Sequence, residues 1–288
     1  MQPMSKRFLI GGVILVPVAV LSAAACQVLP AMGANGLLHP ARRRLAPEQR
    51  AAAPLLTFQG DSVSLTGWRF PAQGARRGTV IYLHGVADNR ASSLGVAQRF
   101  TRRGFDVVAY DSRAHGDSGG DVCTYGYYER RDLQRVLDVA GEGPTVVVGS
   151  SLGAAVALQT AAADRRIDAV VAAEAFSDLR TVASERAPRY FSKGNIRRAL
   201  AMAESSGRFV IDEVSPVKAA AQIAIPVMIV HGGADQETPP DHAHRIFDAL
   251  QSPKRLLIVA GAGHNQSLHL AWPDIERWLD DVLTGEQR

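Results

Sequence analysis

Cysteine is nearly missing. Two in 288 residues, Cys26 and Cys123, are too few for a disulfide framework or a four-cysteine zinc site. Lysine is almost as scarce, four of 32 basic residues, and the arginines stand mostly in pairs, with Arg42-Arg43-Arg44 the one triplet. No run reaches the roughly five to eight consecutive basic residues of a nucleic-acid patch. Aromatics, 6% of the chain, do not interleave with basic residues as base stacking needs. The net charge of +4 therefore assigns no nucleic-acid partner. Internal repeats and low-complexity tracts are absent, and there is only one long apolar run, which excludes a collagen-like chain and a polytopic membrane protein. What remains, 47% hydrophobic and 21% charged, is an ordinary globular composition, long enough for one well-cored domain and something extra.

The extra part is the N-terminus. After Lys6-Arg7 no formal charge occurs from Phe8 to His39, and Phe8 to Leu29 is the most apolar stretch. As a helix those 22 residues span about 33 Å, enough for a ~30 Å bilayer core, and they have no polar face for a soluble helix. A basic start before an apolar run also describes a secretory signal. Two outcomes stay open. Continued apolarity through Val28-Leu29-Pro30-Ala31-Met32 favours an uncleaved anchor. Ala23-Ala24-Ala25-Cys26 resembles a bacterial lipoprotein signal with a lipidated cysteine, although Ala23 stands where leucine is usual. Residues 1–39 are thus expected to be a membrane anchor or lipoprotein-type signal, 40–54 a linker and 55–288 the folded domain. The expected partner is a lipid bilayer and the expected location the bacterial cell envelope. Lys6-Arg7 and Arg42-Arg43-Arg44 pull the topology in opposite directions; the reading favours the folded domain outside the cytoplasm.

Beyond residue 54, strand-like and helix-like segments alternate. LLTFQG and SVSLTGWRF, joined across Gly60-Asp61, read as an antiparallel hairpin. TVIYLHG, FDVVAYD, TVVVGS, DAVVAAEA, PVMIVHG and RLLIVAG read as buried strands. Helices are expected over Ser92 to Arg103, Glu129 to Ala140, Leu152 to Ala163, about Pro240 to Leu250 and Trp272 to Leu283. Strands apolar on both faces, alternating with helices, require a mostly parallel sheet covered on both sides, an α/β fold. Between Asp178 and Ile223 the alternation lapses into a polar, mostly helical insert, expected to be a small cap over the site.

The segment Val146 to Ala155 is strand, tight turn and helix, and it contains Gly149-x-Ser151-x-Gly153. A serine at such an elbow projects its hydroxyl above the sheet, and the flanking glycines leave room for the turn. The helix behind it aims its N-terminus and the Leu152 N–H at a developing oxyanion. A serine hydroxyl needs a base, and the base needs an acid to fix its tautomer. Asp235 follows PVMIVHG and His264 follows RLLIVAG, each in a Gly-rich turn past a strand's C-terminal end, and the order Ser151, Asp235, His264 suits this scaffold.

LHGVADN, YDSRAHGDSGG, YGYYERRDL, VGSSLGAA, SPVKAA, IPVMIVHGGADQETPP and GAGHNQ together resemble the alpha/beta-hydrolase superfamily, most closely its serine aminopeptidase-like branch of esterases, lipases and thioesterases. The resemblance covers about Leu55 to Leu283. It implies Ser151 as nucleophile, His264 as general base and later acid, and Asp235 as the carboxylate orienting His264. Glu174 or Asp178, after the sixth strand, are the alternative acids. The second oxyanion donor is expected from the backbone N–H of Val86, with Ala87 as the alternative. No cofactor and no metal are implied.

Other conspicuous residues have plainer readings. His84 is expected to fix its loop by a hydrogen bond. Asp111 to Gly116 looks like a metal or phosphate loop, but the resemblance makes it structural, with Arg113 and His115 bracing the nucleophile loop. His231 is expected to be a satisfied turn histidine. His242 and His244, two apart on a helix, point to different faces and are expected on a solvated helix start. Glu129 is expected to be a helix-start residue that the family pattern puts near the active-site floor, and Cys123 a bystander. The expected activity is a membrane-tethered serine hydrolase acting on a small-molecule carboxylic ester or thioester, with Tyr190, Phe191 and Phe209 as candidates for an acyl pocket. The alternatives are an aminopeptidase-type peptidase, which needs a carboxylate cluster drawn from Glu185, Glu204, Asp212 and Glu213, and a non-catalytic binding protein on the same fold.

Overall fold

The structure, a computed structural model, describes residues 28–285. It opens with α1, helical over residues 28–38, and the short α2 (Pro47–Arg50). β1 (Leu55–Gln59) and β2 (Ser64–Phe70) form the expected hairpin, closed by the Gly60 N–H donating to Val63 O at 2.8 Å. The chain then runs β3 (Gly78–Leu83), α3 (Leu94–Arg102), β4 (Phe105–Tyr110), α4 (Glu129–Val136), β5 (Thr145–Ser150), α5 (Leu152–Ala161) and β6 (Ala169–Ala173). The helices α6 (Leu179–Glu185), α7 (Lys193–Gly207) and α8 (Pro216–Ala220) occupy the insert before β7 (Val227–Gly232). After α9 (Asp241–Ala249) and β8 (Lys254–Val259), α10 (Ser267–Leu270) and α11 (Trp272–Thr284) complete the described chain.

The sheet order is β1-β2-β4-β3-β5-β6-β7-β8; β1 and β2 pair antiparallel, as do β2 and β4, and every other pair is parallel. Parallel neighbours need long crossovers, and the crossing helices cover both faces. That is why β3, β4, β5, β6 and β7 are buried at every position, while β8, at the edge, is half-exposed. The chain leaves β3 for β4 on one side and returns across it to β5 on the other. The strand order therefore reverses between β3 and β5, where open sheets form a crevice at their carboxyl ends.

Val147, Ile81 and Ile229 pack on α5 on one face, and Val80, Val107 and Met228 meet Phe100, Trp272 and Trp278 on the other. α5 has no polar face because it is enclosed along nearly its whole length; its alanines let it sit close to the sheet. A third apolar cluster joins α1 to the insert through Ala34, Leu38, Leu179, Val182, Leu200 and Phe209.

Local geometry departs from the expected helices in three places. The helix expected from Ser92 begins as a 3-10 turn, Arg90–Ser93, because Asn89 caps it by accepting from the Ala91 N–H at 2.9 Å. The one expected to reach Ala140 tightens to a 3-10 turn at Leu137–Val139. α10 was not expected at all, being one turn long. Among the described residues no helix is long and apolar enough to cross a membrane. The expected span, Phe8 to Leu29, lies outside the described residues but for its last two, and Cys26 lies outside them too.

Candidate active site

β5 ends at Ser150, and the backbone enters α5 through Ser151 at φ 50°, ψ −109°. A serine in this region is strained, and the surroundings must hold it. The Ser151 N–H donates to Ala173 O at 2.8 Å. A Cβ at position 149 would lie 2.4 Å from the Gly153 carbonyl carbon, and one at 153 would lie 2.2 Å from Leu83 O. Only glycine fits at either place. The first N–H groups of α5, Leu152 among them, have no partner within the helix and carry its positive end.

His264 follows β8 and Asp235 follows β7. His264 Nε2 lies 3.1 Å from Ser151 Oγ, and His264 Nδ1 lies 2.7 Å from Asp235 Oδ2. Asp235 Oδ1 accepts the backbone N–H groups of Glu237 and Thr238, both at 2.9 Å. His231 Nε2, which donates to Thr238 O at 2.8 Å, also lies 3.4 Å from Asp235 Oδ2. Burial alone would raise the Asp235 carboxyl, but the hydrogen bonds from His231, His264 and the Thr238 amide outweigh it and hold it well below the usual carboxylate range. An ionised Asp235 keeps the proton of His264 on Nδ1 and leaves Nε2 facing the serine.

The loop after β3 closes the other side. A Cβ at Gly85 would stand 3.6 Å from the Ser151 Cβ. His84, fully buried, fixes this loop by accepting the Ser112 N–H on Nε2 at 3.0 Å and donating from Nδ1 to Gly85 O at 2.7 Å. Val86, Leu152 and Ser151 line one cavity. The fold thus brings Ser151, His264, Asp235, Leu152 and Val86 to one rim. Ala87 lines a second, more polar cavity with Asn265 and Glu237, and Val86 borders both.

The two alternative acids are engaged elsewhere. Glu174, fully buried at φ 58°, accepts the Ser267 N–H at 3.0 Å, the Ser267 hydroxyl at 2.8 Å and the Ser150 hydroxyl at 3.5 Å. It ties the residue before the elbow to the helix just after His264, a role with no local sequence signal because the partners are 93 positions apart. Asp178 caps α6 by accepting the Thr181 N–H at 2.8 Å.

Two expectations are corrected. Arg113 does not reach the nucleophile loop: its guanidinium forks onto Asp132 at 2.7 and 2.8 Å and donates to Asp61 O, tying its loop to α4, while His115 Nδ1 donates to Arg113 O within that loop. The cause is Asp132, a buried anion that only a cation nearby neutralises. His242 is not solvated: it is buried, accepts the Ser177 N–H on Nδ1 at 3.0 Å and meets Glu185 of α6 at 2.7 Å, so it joins the insert to α9. His244 on the same helix is exposed. Asp111 accepts the amides of Arg90 and Asp117 and pairs with the buried Arg90 guanidinium, which leaves its loop structural. Glu129 accepts Thr124 N–H, Thr124 Oγ1 and Gly126 N–H, each at 2.7 Å, and so holds the turn that presents Tyr125 to the cavity. Cys123 is buried and free. Among the described residues no group of three metal-ligating side chains occurs.

The cavity at Ser151 measures about 390 Å³ and is mostly apolar, its polar side chains being Ser151, Arg186, Tyr125 and Tyr190. Tyr190 and Phe191 line it; Phe209 does not, its ring packing on Tyr127 at 5.9 Å. No carboxylate lines it. Glu185 serves His242, Glu204 accepts the Ile211 N–H, and Asp212 and Glu213 pair with Arg180 and Arg130. Sequence reasoning missed much of this lining, Tyr125 and Phe176 among it, and all of the α1 contribution: Met32, Gly33, Gly36 and Leu37 form part of the wall.

A family model described as alpha/beta hydrolase fold matches residues 78–217. The uncharacterized protein YqkD of Bacillus subtilis (strain 168) is 29% identical over 221 residues, 71% of this chain and 72% of that protein. The mitochondrial palmitoyl-protein thioesterase ABHD10 of Mus musculus is 24% identical over 232 residues, 71% of this chain and 76% of its own. Among solved structures, the Pyrococcus furiosus esterase Pf2001 superposes with a TM-score of 0.68 at 22% identity, covering 85% of this chain and 98% of that one. At that identity the likeness speaks for the fold alone. Sheet order, the match over residues 78–217 and the structural likeness agree: the chain has the alpha/beta-hydrolase fold.

Proposed function

We propose that the protein is a serine hydrolase that cleaves a carboxylic ester or thioester through an acyl-enzyme. The observation that carries this reading is the chain of contacts from Ser151 Oγ through His264 to Asp235, at 3.1 and 2.7 Å. Ser151 Oγ attacks the acyl carbon as His264 Nε2 takes its proton, and the carbonyl oxygen becomes an oxyanion facing the N–H groups of Leu152 and Val86. Collapse breaks the bond to the leaving group, which departs with the proton from His264. Water then gives a proton to His264 and attacks the acyl-enzyme; the carboxylic acid leaves and Ser151 recovers its hydrogen. Each oxyanion donor is worth roughly 3 kcal/mol of transition-state stabilisation.

The names of the esterase and thioesterase relatives support the ester or thioester bond. None of the four candidate carboxylates reaches the cavity, which weighs against an aminopeptidase-type site although an acylaminoacyl peptidase is among the structural neighbours. The proposal includes the N-terminal run as a membrane tether with the hydrolase domain outside the cytoplasm; a C-terminal alkaline phosphatase fusion that stays inactive would refute that export. A fluorophosphonate probe tests the catalytic reading. Wild type is expected to be labelled and Ser151→Ala not, with turnover of p-nitrophenyl butyrate lower by at least ~10⁴-fold in the variant. Folded wild-type protein that never labels sinks the enzyme and leaves the binding protein.

A further inference from the structure

One wall of the cavity comes from outside the hydrolase sheet and its insert. α1 is fixed there along its C-terminal half: the Cys123 N–H donates to Leu38 O at 2.8 Å and the Tyr125 hydroxyl to Leu37 O at 3.2 Å. Beyond it, Arg42 donates to the carbonyls of Ser118 and Gly120 at 2.7 and 2.6 Å. Leu38 is 2% exposed and sits so close to Gly207 that a Cβ there would come within 2.9 Å of it. The helix is therefore a built part of the site.

Two glycines of α1 face the cavity, with different surroundings. A Cβ at position 33 would lie 3.0 Å from Ala199 of α7 and 3.0 Å from Phe191, so Gly33 lets the two helices approach. A Cβ at position 36 would meet nothing within 4 Å. Gly36 is itself exposed and lines the cavity, so a side chain placed there would stand in the open part of the cavity. The cavity begins at Ser151, and its outer end reaches Met32 and Tyr190, 58% and 67% exposed.

We propose that α1 is the chain-length gauge of this site: an unbranched acyl chain attached at Ser151 lies between α1 and α7, and Gly36 sets how long a chain is accepted. The substrate class is then a medium- or long-chain acyl ester or thioester. This rests on the serine-hydrolase reading. Burying one methylene in an apolar slot favours binding by roughly fourfold, so kcat/KM climbs with chain length until the slot is full.

The test uses the full chain and p-nitrophenyl acetate and octanoate. Wild type is expected to prefer octanoate by at least tenfold in kcat/KM, and Gly36→Leu to reduce that octanoate-to-acetate ratio at least tenfold. Gly36→Ala, which favours the helix, is expected to lower the ratio by a smaller step and serves if the leucine variant does not fold. A ratio unchanged in a folded Gly36→Leu or Gly36→Ala variant, or a wild type confined to acetate, overturns the gauge while leaving the hydrolase intact. If wild type neither turns over an ester nor takes the fluorophosphonate, the hydrolase reading falls and this one with it.

Discussion

Asp235 receives more donors than its part in the proposed triad requires. Two backbone amides and two histidines converge on it, so its charge and its direction are both fixed. Asp235→Asn is expected to lower kcat by about 10³–10⁴-fold with little change in KM, because the amide favours the wrong imidazole tautomer; steady-state kinetics on a slow ester read it. The lowered carboxyl also carries stability. Between its native value and the ordinary one near 4 the unfolded chain binds the proton and the native one does not, so the contribution is present above about pH 4 and lost below. The unfolding-temperature gap between wild type and Asp235→Asn should narrow as pH falls through that window. At this scale the sequence was most readable where chemistry forces a local pattern. Gly149, Ser151 and Gly153 must be adjacent because a Cβ beside the elbow clashes with backbone. The contacts of Glu174 with Ser150 and Ser267 leave no such trace, since folding alone makes them neighbours.

Helices and strands were legible to the extent that their burial was two-sided. β3 to β7 read directly from their apolar runs, and α5 from its missing polar face. α1 was misleading for the same reason: composition alone does not separate an apolar helix packed on protein from one packed on lipid. Its attachment is measurable. Leu38→Ala removes a side chain buried against Gly207, and loss of about 2–5 kcal/mol of packing is usual for such a change. The expected outcome is release of α1 before the sheet melts, seen as faster hydrogen exchange of the Cys123 amide, whose acceptor is Leu38 O. Exchange as slow as in wild type would show the helix held by other means. His242 was misread because a charge on a sequence looks solvated until its partner, Glu185, is found across the fold, and Arg113 was assigned to the wrong loop because nothing local points to Asp132.

The whole molecule is poised against mild acid. His115 is fully buried, and burial, then the neighbouring His84, lowers it to about 4; burial likewise lowers His242 despite Glu185. Below pH 6.5 the unfolded chain takes up protons that the native one refuses, so stability falls as pH drops from 6.5 toward 4. His115 alone accounts for up to about 3 kcal/mol of that fall. Urea titrations at pH 7 and pH 5 should show the decline in wild type and a shallower one in His115→Asn; equal slopes would remove His115 as the cause. The strand order, by contrast, could be expected only as a class, because which neighbour each strand takes depends on crossovers that no single segment encodes. The docking of α1 also decides where the polypeptide can be shortened. A recombinant form started at the hairpin, Leu55, would keep every strand and Ser151, Asp235 and His264, yet it would lose the clamp over Tyr125 and Leu200 and bare a greasy trough to water. A shortened form that keeps this packing starts no later than residue 28.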